Sequence, residues 1–175
     1  MHVTGPWSRS TLDEFLLERR IPVRLGCRTP GGHPWLVSLW YAWGDGDAID
    51  DAEGDIVSFS DADTGDSPEI MCATSADADL VEFLRSDPEI SFEVSTNEMP
   101  YRGVRGRGVA DLEADTDERL LRSLFERYLG GTDNELASHL LSPGREEIRI
   151  RVTPKRLHTW DFSGRMSDVA PAEGG

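Results

Sequence analysis

The run Pro100-Tyr101-Arg102-Gly103-Val104-Arg105-Gly106-Arg107-Gly108-Val109 combines three arginines and three glycines in one extended segment. Glycine weakens a strand and is commonly kept there because a ligand or another backbone approaches closely. Arginine carries a permanent charge on a planar fork that suits phosphate and carboxylate oxygens. The run therefore predicts a strand that forms one wall of an anion site. The alternative is a barrel strand bent at its glycines, with arginines that pair with an acidic surface.

The composition predicts one acidic domain. The chain has 175 residues, enough to bury a core without disulfides. It carries 33 acidic and 18 basic residues, a formal net charge of -15, and its one lysine is Lys155. A carboxylate-rich surface of this kind is typical of halophilic proteins, in which salt screens the self-repulsion. We expect no nucleic-acid partner, because no basic face is large enough to offset the acidic residues.

The two cysteines and the lack of long apolar runs indicate the cellular compartment of the protein. Cys27 and Cys72 each lie in an apolar, strand-like context, which predicts buried free thiols in a reducing environment. No charged-then-apolar leader opens the chain, and no apolar run reaches the length of a membrane span. We therefore expect a cytoplasmic protein with no membrane partner.

Alternating apolar and polar residues predict six or seven strands, and helical spacing predicts two longer helices. Capping boxes at Ser10 and Thr11, and at Asp115 with Glu118, indicate where these helices begin. Because strands and helices do not alternate, a parallel nucleotide-binding sheet is not expected. The order favours a small antiparallel barrel with peripheral helices. The predicted strands cover 23–27, 35–43, 70–74, 90–95, 102–112, 148–152 and 157–162, with a turn at Pro154, and shorter helices cover 77–86 and 134–141.

The chain divides into a domain over 10–166, a flexible arm over 1–9 and a disordered tail over 167–175. Within the domain, residues 44–68 are dominated by aspartate and predict a solvated insertion between two strands. Calcium binding is an alternative for this insertion, because three of its aspartates lie close together in sequence. The EF-hand pattern fails there, however, since the glycine and the closing glutamate are absent from their positions. The aspartates concerned are Asp61, Asp63 and Asp66.

No motif for self-contained catalysis is present. The four histidines are scattered, and neither a Cys-x-x-Cys pair nor a Gly-x-Ser-x-Gly elbow occurs. The order Gly103-x-x-Gly106-x-Gly108 differs from the dinucleotide fingerprint. We therefore expect no metal site, and the catalytic residues are unknown. A bound cofactor that performs the chemistry remains open.

Several segments resemble those of one family in their order and spacing. Over about Leu12 to Met166 the chain resembles the pyridoxamine 5'-phosphate oxidase-like family of FMN-binding split barrels. The resemblance implies a mainly β protein, a six-stranded antiparallel split β-barrel, and a homodimer with two flavin sites at its interface. The segments that carry it are Pro34–Tyr41, Met71–Thr74, Leu84–Val94, Pro100–Gly106, and Arg149–Pro154 leading to Thr159–Asp161.

The resemblance also implies where the cofactor lies. The second strand backs the isoalloxazine ring, and the third strand with its loop approaches the ribityl phosphate. A late tryptophan and arginine from the partner chain close the site. To these we add two arginines of the glycine-rich run. The predicted cofactor-binding residues are therefore Val37, Ser38, Leu39, Trp40, Ala73, Thr74, Ser75, Arg102, Arg105, Trp160 and Arg165.

One departure from the family concerns the phosphate. Where the family often has Arg-Lys, this chain has Asp79 and Leu80. A phosphate dianion beside Asp79 would be repelled unless Arg102 or Arg105 compensates. Either the arginine strand holds the phosphate, or the flavin is held differently, or the site is empty. Coenzyme F420 is an alternative to FMN, because its anionic tail also requires arginines.

The resemblance, taken with these observations, implies a flavin-dependent oxidoreductase that uses FMN or F420 for hydride transfer to an unidentified small-molecule substrate. The protein would bind and orient the cofactor. One alternative is a split-barrel protein that binds flavin or haem without turnover, and another is a structural dimer with no cofactor. The fold alone does not identify a substrate.

Overall fold

The computed structural model describes residues 1–45, 68–116 and 118–168. Within these ranges the chain forms strands, four α-helices and a final 3-10 turn at Ser163–Arg165. In chain order the elements are β1 His2–Thr4, α1 Arg9–Glu18, β2 Val23–Arg28, β3 Pro34–Leu39, β4 Ala42–Gly44, β5 Glu69–Ser75, α2 Asp79–Ser86, β6 Glu89–Ser95, β7 Arg102–Ala114, α3 Arg119–Leu129, α4 Glu135–Leu140 and β8 Glu147–Asp161.

The main sheet has the strand order β3-β2-β6-β7-β8-β5-β4, and every neighbouring pair in it is antiparallel. Only Trp40 and Tyr41 separate β3 from β4, so the two ends of this order are joined by a short piece of chain. The sheet is thereby closed into a barrel. Counting β3 and β4 as one interrupted strand gives six strands, which confirms the predicted antiparallel split barrel.

The interruption at Trp40 and Tyr41 was not predicted, since the sequence indicates a single strand over 35–43. At this point the chain leaves β2 and joins β5. The Tyr41 backbone N–H donates to the Tyr128 hydroxyl at 3.3 Å, and the Tyr41 hydroxyl donates to the Leu16 carbonyl at 2.8 Å. Side chains therefore satisfy backbone groups where the ladder is broken.

The predicted turn at Pro154 is wrong, because β8 continues through it to Asp161. Gly108 lies opposite Pro154 and Arg107 lies opposite Arg156, so Lys155 is the extra residue of a β-bulge. Proline lacks the N–H that a ladder needs and is tolerated at a bulge. One bulged strand therefore replaces the two predicted strands.

The glycines of β7 are explained by neighbouring strands. A Cβ atom on Gly106 would lie 2.6 Å from Phe92 Cζ and 2.7 Å from the Arg156 carbonyl oxygen. One on Gly103 would lie 2.5 Å from the Val94 carbonyl oxygen. These close approaches agree with the alternative interpretation of the run as a glycine-containing barrel strand.

The caps of α1 and α3 differ from the predicted capping boxes. Helix α1 begins after Ser8, whose Oγ accepts from the Thr11 N–H at 3.2 Å. The boxes at Ser10 and Thr11 do not form, because Asp13 instead accepts from Arg9 Nε at 2.7 Å and from Trp43 Nε1 at 2.9 Å.

Helix α3 begins at Arg119, and two backbone N–H groups of its first turn donate to an acidic side chain that precedes the helix. Asp115 accepts from the backbone N–H groups of Leu120 and Leu121 at 3.4 and 3.2 Å. Glu118 donates its N–H to the Asp115 backbone carbonyl, not to its side chain, so the predicted box is absent. The helix predicted over 134–141 is confirmed as α4, with Asn134 as its N-cap.

The predicted N-terminal arm lies within the described residues, whereas most of the acidic insertion and of the tail does not. The arm predicted over 1–9 contains β1, which pairs in parallel with β8 and was too short to show an alternating pattern. Residues 169–175 of the predicted tail and 46–67 of the insertion, with the calcium alternative at Asp61, Asp63 and Asp66, lie outside the described residues. The insertion joins neighbouring strands as predicted, because Gly44 pairs with Glu69.

The barrel interior is apolar, and both thiols lie within it. Leu25, Phe92 and Ile150 are among its buried side chains. Cys27 and Cys72 are buried and unbridged, which confirms that part of the prediction. Burial raises the pKa of both thiols, so they are held protonated. None of the described helices is long and apolar enough to cross a membrane.

Candidate functional site

A cleft of about 300 Å³ lies where β3 and β5 end against helices α3 and α4. It brings together six of the eleven predicted cofactor-binding residues. Helix and loop side chains that the sequence did not indicate complete its walls. The predicted residues are Ser38, Leu39, Trp40, Ala73, Thr74 and Ser75, and the additional ones are Leu121, Leu124, Leu136, Leu140, Arg145 and Glu147.

Trp40 forms a rigid apolar part of the cleft. Its ring stacks on Tyr128 with centroids 5.1 Å apart and an angle of 9° between the planes. Phe125 meets it edge-on at 5.7 Å. Because the ring is held on two sides, Trp40 and the leucines beside it offer a preformed surface for a flat, apolar group.

The opposite edge of the cleft is polar. Thr74 and Ser75 end strand β5 with hydroxyl groups that donate and accept hydrogen bonds. Arg145 Nε donates to Glu147 Oε1 at 2.5 Å, and this pair lies across from Ser75, which is paired with Glu147 in the sheet. That bond uses one of the five N–H groups of a guanidinium. The cleft therefore combines an apolar wall with a hydroxyl-rich edge and one cation.

Arg145 was not predicted from the sequence, although the missing phosphate-binding cation that it could replace was recognised. Leu80, at the position where the family often has lysine, is 5% exposed and packs in the core. No cation therefore comes from that position. Arg145 follows Pro143 and Gly144 in the loop before β8 and belongs to no motif. Only the fold brings this loop to the end of β5.

A buried ion pair holds α3 at the cleft. Asp115, which accepts the two N–H groups at the start of α3, also accepts from Arg149 Nη2 at 3.2 Å. The side chains of Asp115 and Arg149 are 1% and 6% exposed. Because Arg149 lies on β8, the pair fixes the helix that supplies Leu121 and Leu124 to the cleft.

The remaining five predicted residues do not line the cleft of their own chain. Val37 packs against the barrel core. Arg102 lies beside the turn 96–100, and Arg105 lies on the outer face of the barrel. Trp160 and Arg165 both contact Phe162, at 5.2 Å in each case. The resemblance assigns the last two to the partner's cleft, so their role stays a prediction.

Among the described residues, no three His, Cys, Asp or Glu side chains are grouped to hold a metal ion. The charged residues that line the cleft are Arg145 and Glu147, and no histidine or cysteine lines it. The described cleft therefore offers binding and electrostatic groups and only one titratable acid.

No protein-family model matches the sequence, and no curated protein matches it. Solved structures do match. A conserved hypothetical protein of Mycobacterium tuberculosis is 24% identical, covering 97% of this chain and 94% of that one, with a TM-score of 0.68. An F420 reductase is 22% identical over 82% of this chain and 94% of its own, with a TM-score of 0.59. A candidate pyridoxamine 5'-phosphate oxidase of Listeria innocua is 14% identical, covering 82% of this chain and 91% of that one, with a TM-score of 0.52.

These likenesses, all below 25% identity, concern the fold. They agree with the mainly antiparallel barrel described above. The chain therefore has the split-barrel fold of the FMN-binding, pyridoxamine 5'-phosphate oxidase-like proteins.

Proposed function

We propose that the protein binds a flavin-type cofactor, FMN or F420, in the cleft between β3, β5 and the two helices, and that it is an oxidoreductase acting on a small molecule. The observation that carries the proposal is the meeting of the Ser38–Trp40 wall with the Thr74, Ser75 and Arg145 edge. A flavin has the matching chemistry, namely a flat ring system with an anionic arm. The F420 reductase of the same fold supports the choice of cofactor class.

The residues present fit this cofactor class. Ser38, Leu39 and Trp40 would contact the ring system, while the hydroxyls of Thr74 and Ser75 and the guanidinium of Arg145 would hold the anionic arm. When bound, a flavin supplies hydride chemistry. The chain's own residues bind and orient the cofactor, and the leucines of α3 and α4 exclude water from one side.

The size of the cleft supports a dimer. About 300 Å³ is at the lower limit of the range of roughly 300–1,000 Å³ for small-molecule pockets, so one chain encloses only part of a flavin. We propose that a second copy covers the rest. Trp160 and Arg165 of that copy, which lie together around Phe162, would close the site as the resemblance implies.

Haem is disfavoured on a specific observation. An axial ligand to haem iron is usually histidine, cysteine, methionine or tyrosine. None of these is among the described residues that line the cleft, so an axial ligand would have to come from the second copy that we propose to cover it. A cofactor-free structural dimer is also disfavoured, because the cleft is a preformed concave site with converging polar groups.

The test is a spectrum of the purified protein followed by titrations with FMN, F420 and haem, which have distinct visible absorption. We expect one of the two flavins to bind at one site per chain. Arg145→Gln should weaken that binding by about 1.5–3 kcal/mol, the range for a hydrogen bond to a charged group. Arg28→Gln, which removes an exposed arginine paired with Asp87, serves as the matched control. Absence of flavin binding would contradict the proposal, and equal affinity of Arg145→Gln and wild type would exclude Arg145 as the anchor.

A further inference from the structure

A second concave site lies on the outer face of the barrel, across β2, β6, β7 and β8. This groove has a volume of about 500 Å³. We call it the arginine groove, since four arginines and a histidine border it against a single acidic residue, Glu93. The groove residues used below are Arg24, Leu36, Glu93, Arg105, Arg107, Arg156 and His158.

The arginines of the groove fall into two kinds. Arg24 is occupied, because it donates to Ser95 Oγ at 3.0 Å and to Asn97 Oδ1 at 2.6 Å and lies 3.5 Å from Glu93. The side chains of Arg105, Arg107 and Arg156 are exposed and make no hydrogen bond or ion pair with any residue in the described part of the chain. Three cations that pair with no described residue are thus gathered in one place.

The sheet register places these charges against one another. Across β7 and β8, Arg107 lies directly opposite Arg156, and Arg105 lies directly opposite His158. Like charges at directly opposite positions, here those of Arg107 and Arg156, destabilise a strand pair. Residues two apart on a strand are separated by about 7 Å, and opposite residues by about 5 Å. The four basic side chains therefore rise from a rectangle of about 5 by 7 Å.

We propose that the arginine groove binds a small polyanion, a molecule with two or more phosphate or carboxylate groups, at a site separate from the cleft. Guanidinium forks bind such oxygens in a bidentate manner. A ligand of this kind would relieve the repulsion between Arg107 and Arg156, which no described carboxylate does. Leu36, which is 66% exposed at the rim, would contact the uncharged part of the ligand.

Direct self-association is a weaker explanation of the groove. In a two-fold symmetric contact the same patch meets itself. A contact centred on this groove would bring Arg105, Arg107 and Arg156 of two copies together and would add to the repulsion. We therefore assign the groove to an anionic ligand.

The test uses diphosphate and citrate as probes, with inorganic phosphate as the single-group comparison. Calorimetric titration at low ionic strength keeps screening weak. Diphosphate or citrate should bind to the wild type at one site and more tightly than phosphate does. Arg107→Gln and Arg156→Gln should each weaken that binding at least tenfold, which corresponds to about 1.4 kcal/mol. Their flavin affinity should equal that of the wild type.

The matched control is Arg122→Gln, which removes an exposed arginine on α3 that pairs with Glu118. It should leave probe binding unchanged, and thermal melts of all three variants show whether they fold. The proposal is overturned if neither probe binds, or if Arg122→Gln loses as much affinity as the groove variants. It is also overturned if flavin affinity falls by the same factor as probe affinity, since the groove would then belong to the cofactor site. A change of oligomeric state in the groove variants with unaltered probe binding would assign the groove to a second copy instead.

Discussion

Asp115 acts on the cleft through the helix that it anchors. Its carboxylate accepts two backbone N–H groups of α3 and one hydrogen bond from Arg149, and the side chain is 1% exposed. Asp115→Ala would remove a buried ion pair and, with it, the acceptor of two helix N–H groups. We expect Asp115→Ala to lower the free energy of unfolding by about 3–5 kcal/mol, as measured by urea denaturation. Flavin affinity should fall as well, because α3 carries Leu121 and Leu124 into the cleft.

The control for this change is Glu118→Gln, only three residues away. Glu118 forms an exposed pair with Arg122 at 2.9 Å. An exposed pair contributes at most about 1 kcal/mol. If the free energy of unfolding fell by a similar amount in both variants, the buried pair would not be what holds the helix.

Some residues of the cleft could be predicted from the sequence, and others could not. Ser38 to Trp40 and Ala73 to Ser75 lie on strands whose alternation is visible in the sequence, and the resemblance marked them. Arg145 lies in a loop, 70 residues from Ser75, and reaches the cleft only because β8 pairs with β5. A contact of that kind leaves no local pattern, so the sequence could indicate the missing cation but not its replacement.

At the scale of elements, the close packing of β7 gives a sharp test. A Cβ atom on Gly106 would meet a backbone carbonyl oxygen of β8 at 2.7 Å, which no side-chain movement can relieve. Gly106→Ala should therefore destabilise the protein by about 1–3 kcal/mol, the usual cost of overpacking. Thermal or urea denaturation measures it. Gly164→Ala is the control, since a Cβ there meets nothing within 4 Å. Equal stability of both variants would contradict the described contact between β7 and β8.

The acidic insertion offers a second element-scale prediction. Its flanking residues Gly44 and Glu69 are paired, so a turn of a few residues can join β4 to β5 as a hairpin. We expect replacement of residues 46–67 by such a turn to leave the fold intact, with reduced solubility as its main cost. Circular dichroism and a thermal melt check this. Loss of the fold, or loss of flavin binding by a folded variant, would show that the insertion is part of the barrel or of the site.

The two errors in the predicted strands have a common origin. Alternation of apolar and polar residues predicts that a segment is a strand. It does not show where the strand changes its pairing partner or where it forms a bulge. Trp40 and Tyr41 lie where one strand passes from β2 to β5, and Pro154 lies at a bulge within β8. Both features depend on the closed barrel and on partners that are distant in sequence.

At the scale of the whole molecule, the net charge governs the response to salt. With a formal charge of -15 the folded chain repels itself. The Debye length falls from about 10 Å at 0.1 M to about 3 Å at 1 M. We expect the melting temperature to rise between 0.1 and 2 M potassium chloride.

The variant without residues 46–67 is the matched control for this prediction. Its shorter chain lacks eight acidic and no basic residues, so its formal charge is -7 before any turn is added. The rise in melting temperature with salt should be smaller for this variant. A flat or falling melting temperature in the full chain would contradict the electrostatic explanation.

We propose that the cleft, and not the arginine groove, holds the flavin. The most direct measurement is a crystal structure of the protein with its preferred flavin, FMN or F420, at saturating concentration. We expect the ring system to lie against Ser38–Trp40 and the anionic arm to lie within hydrogen-bonding distance of Thr74, Ser75 or Arg145. Electron density for the flavin along Arg105, Arg107 and Arg156, or anywhere else outside the cleft, would contradict it.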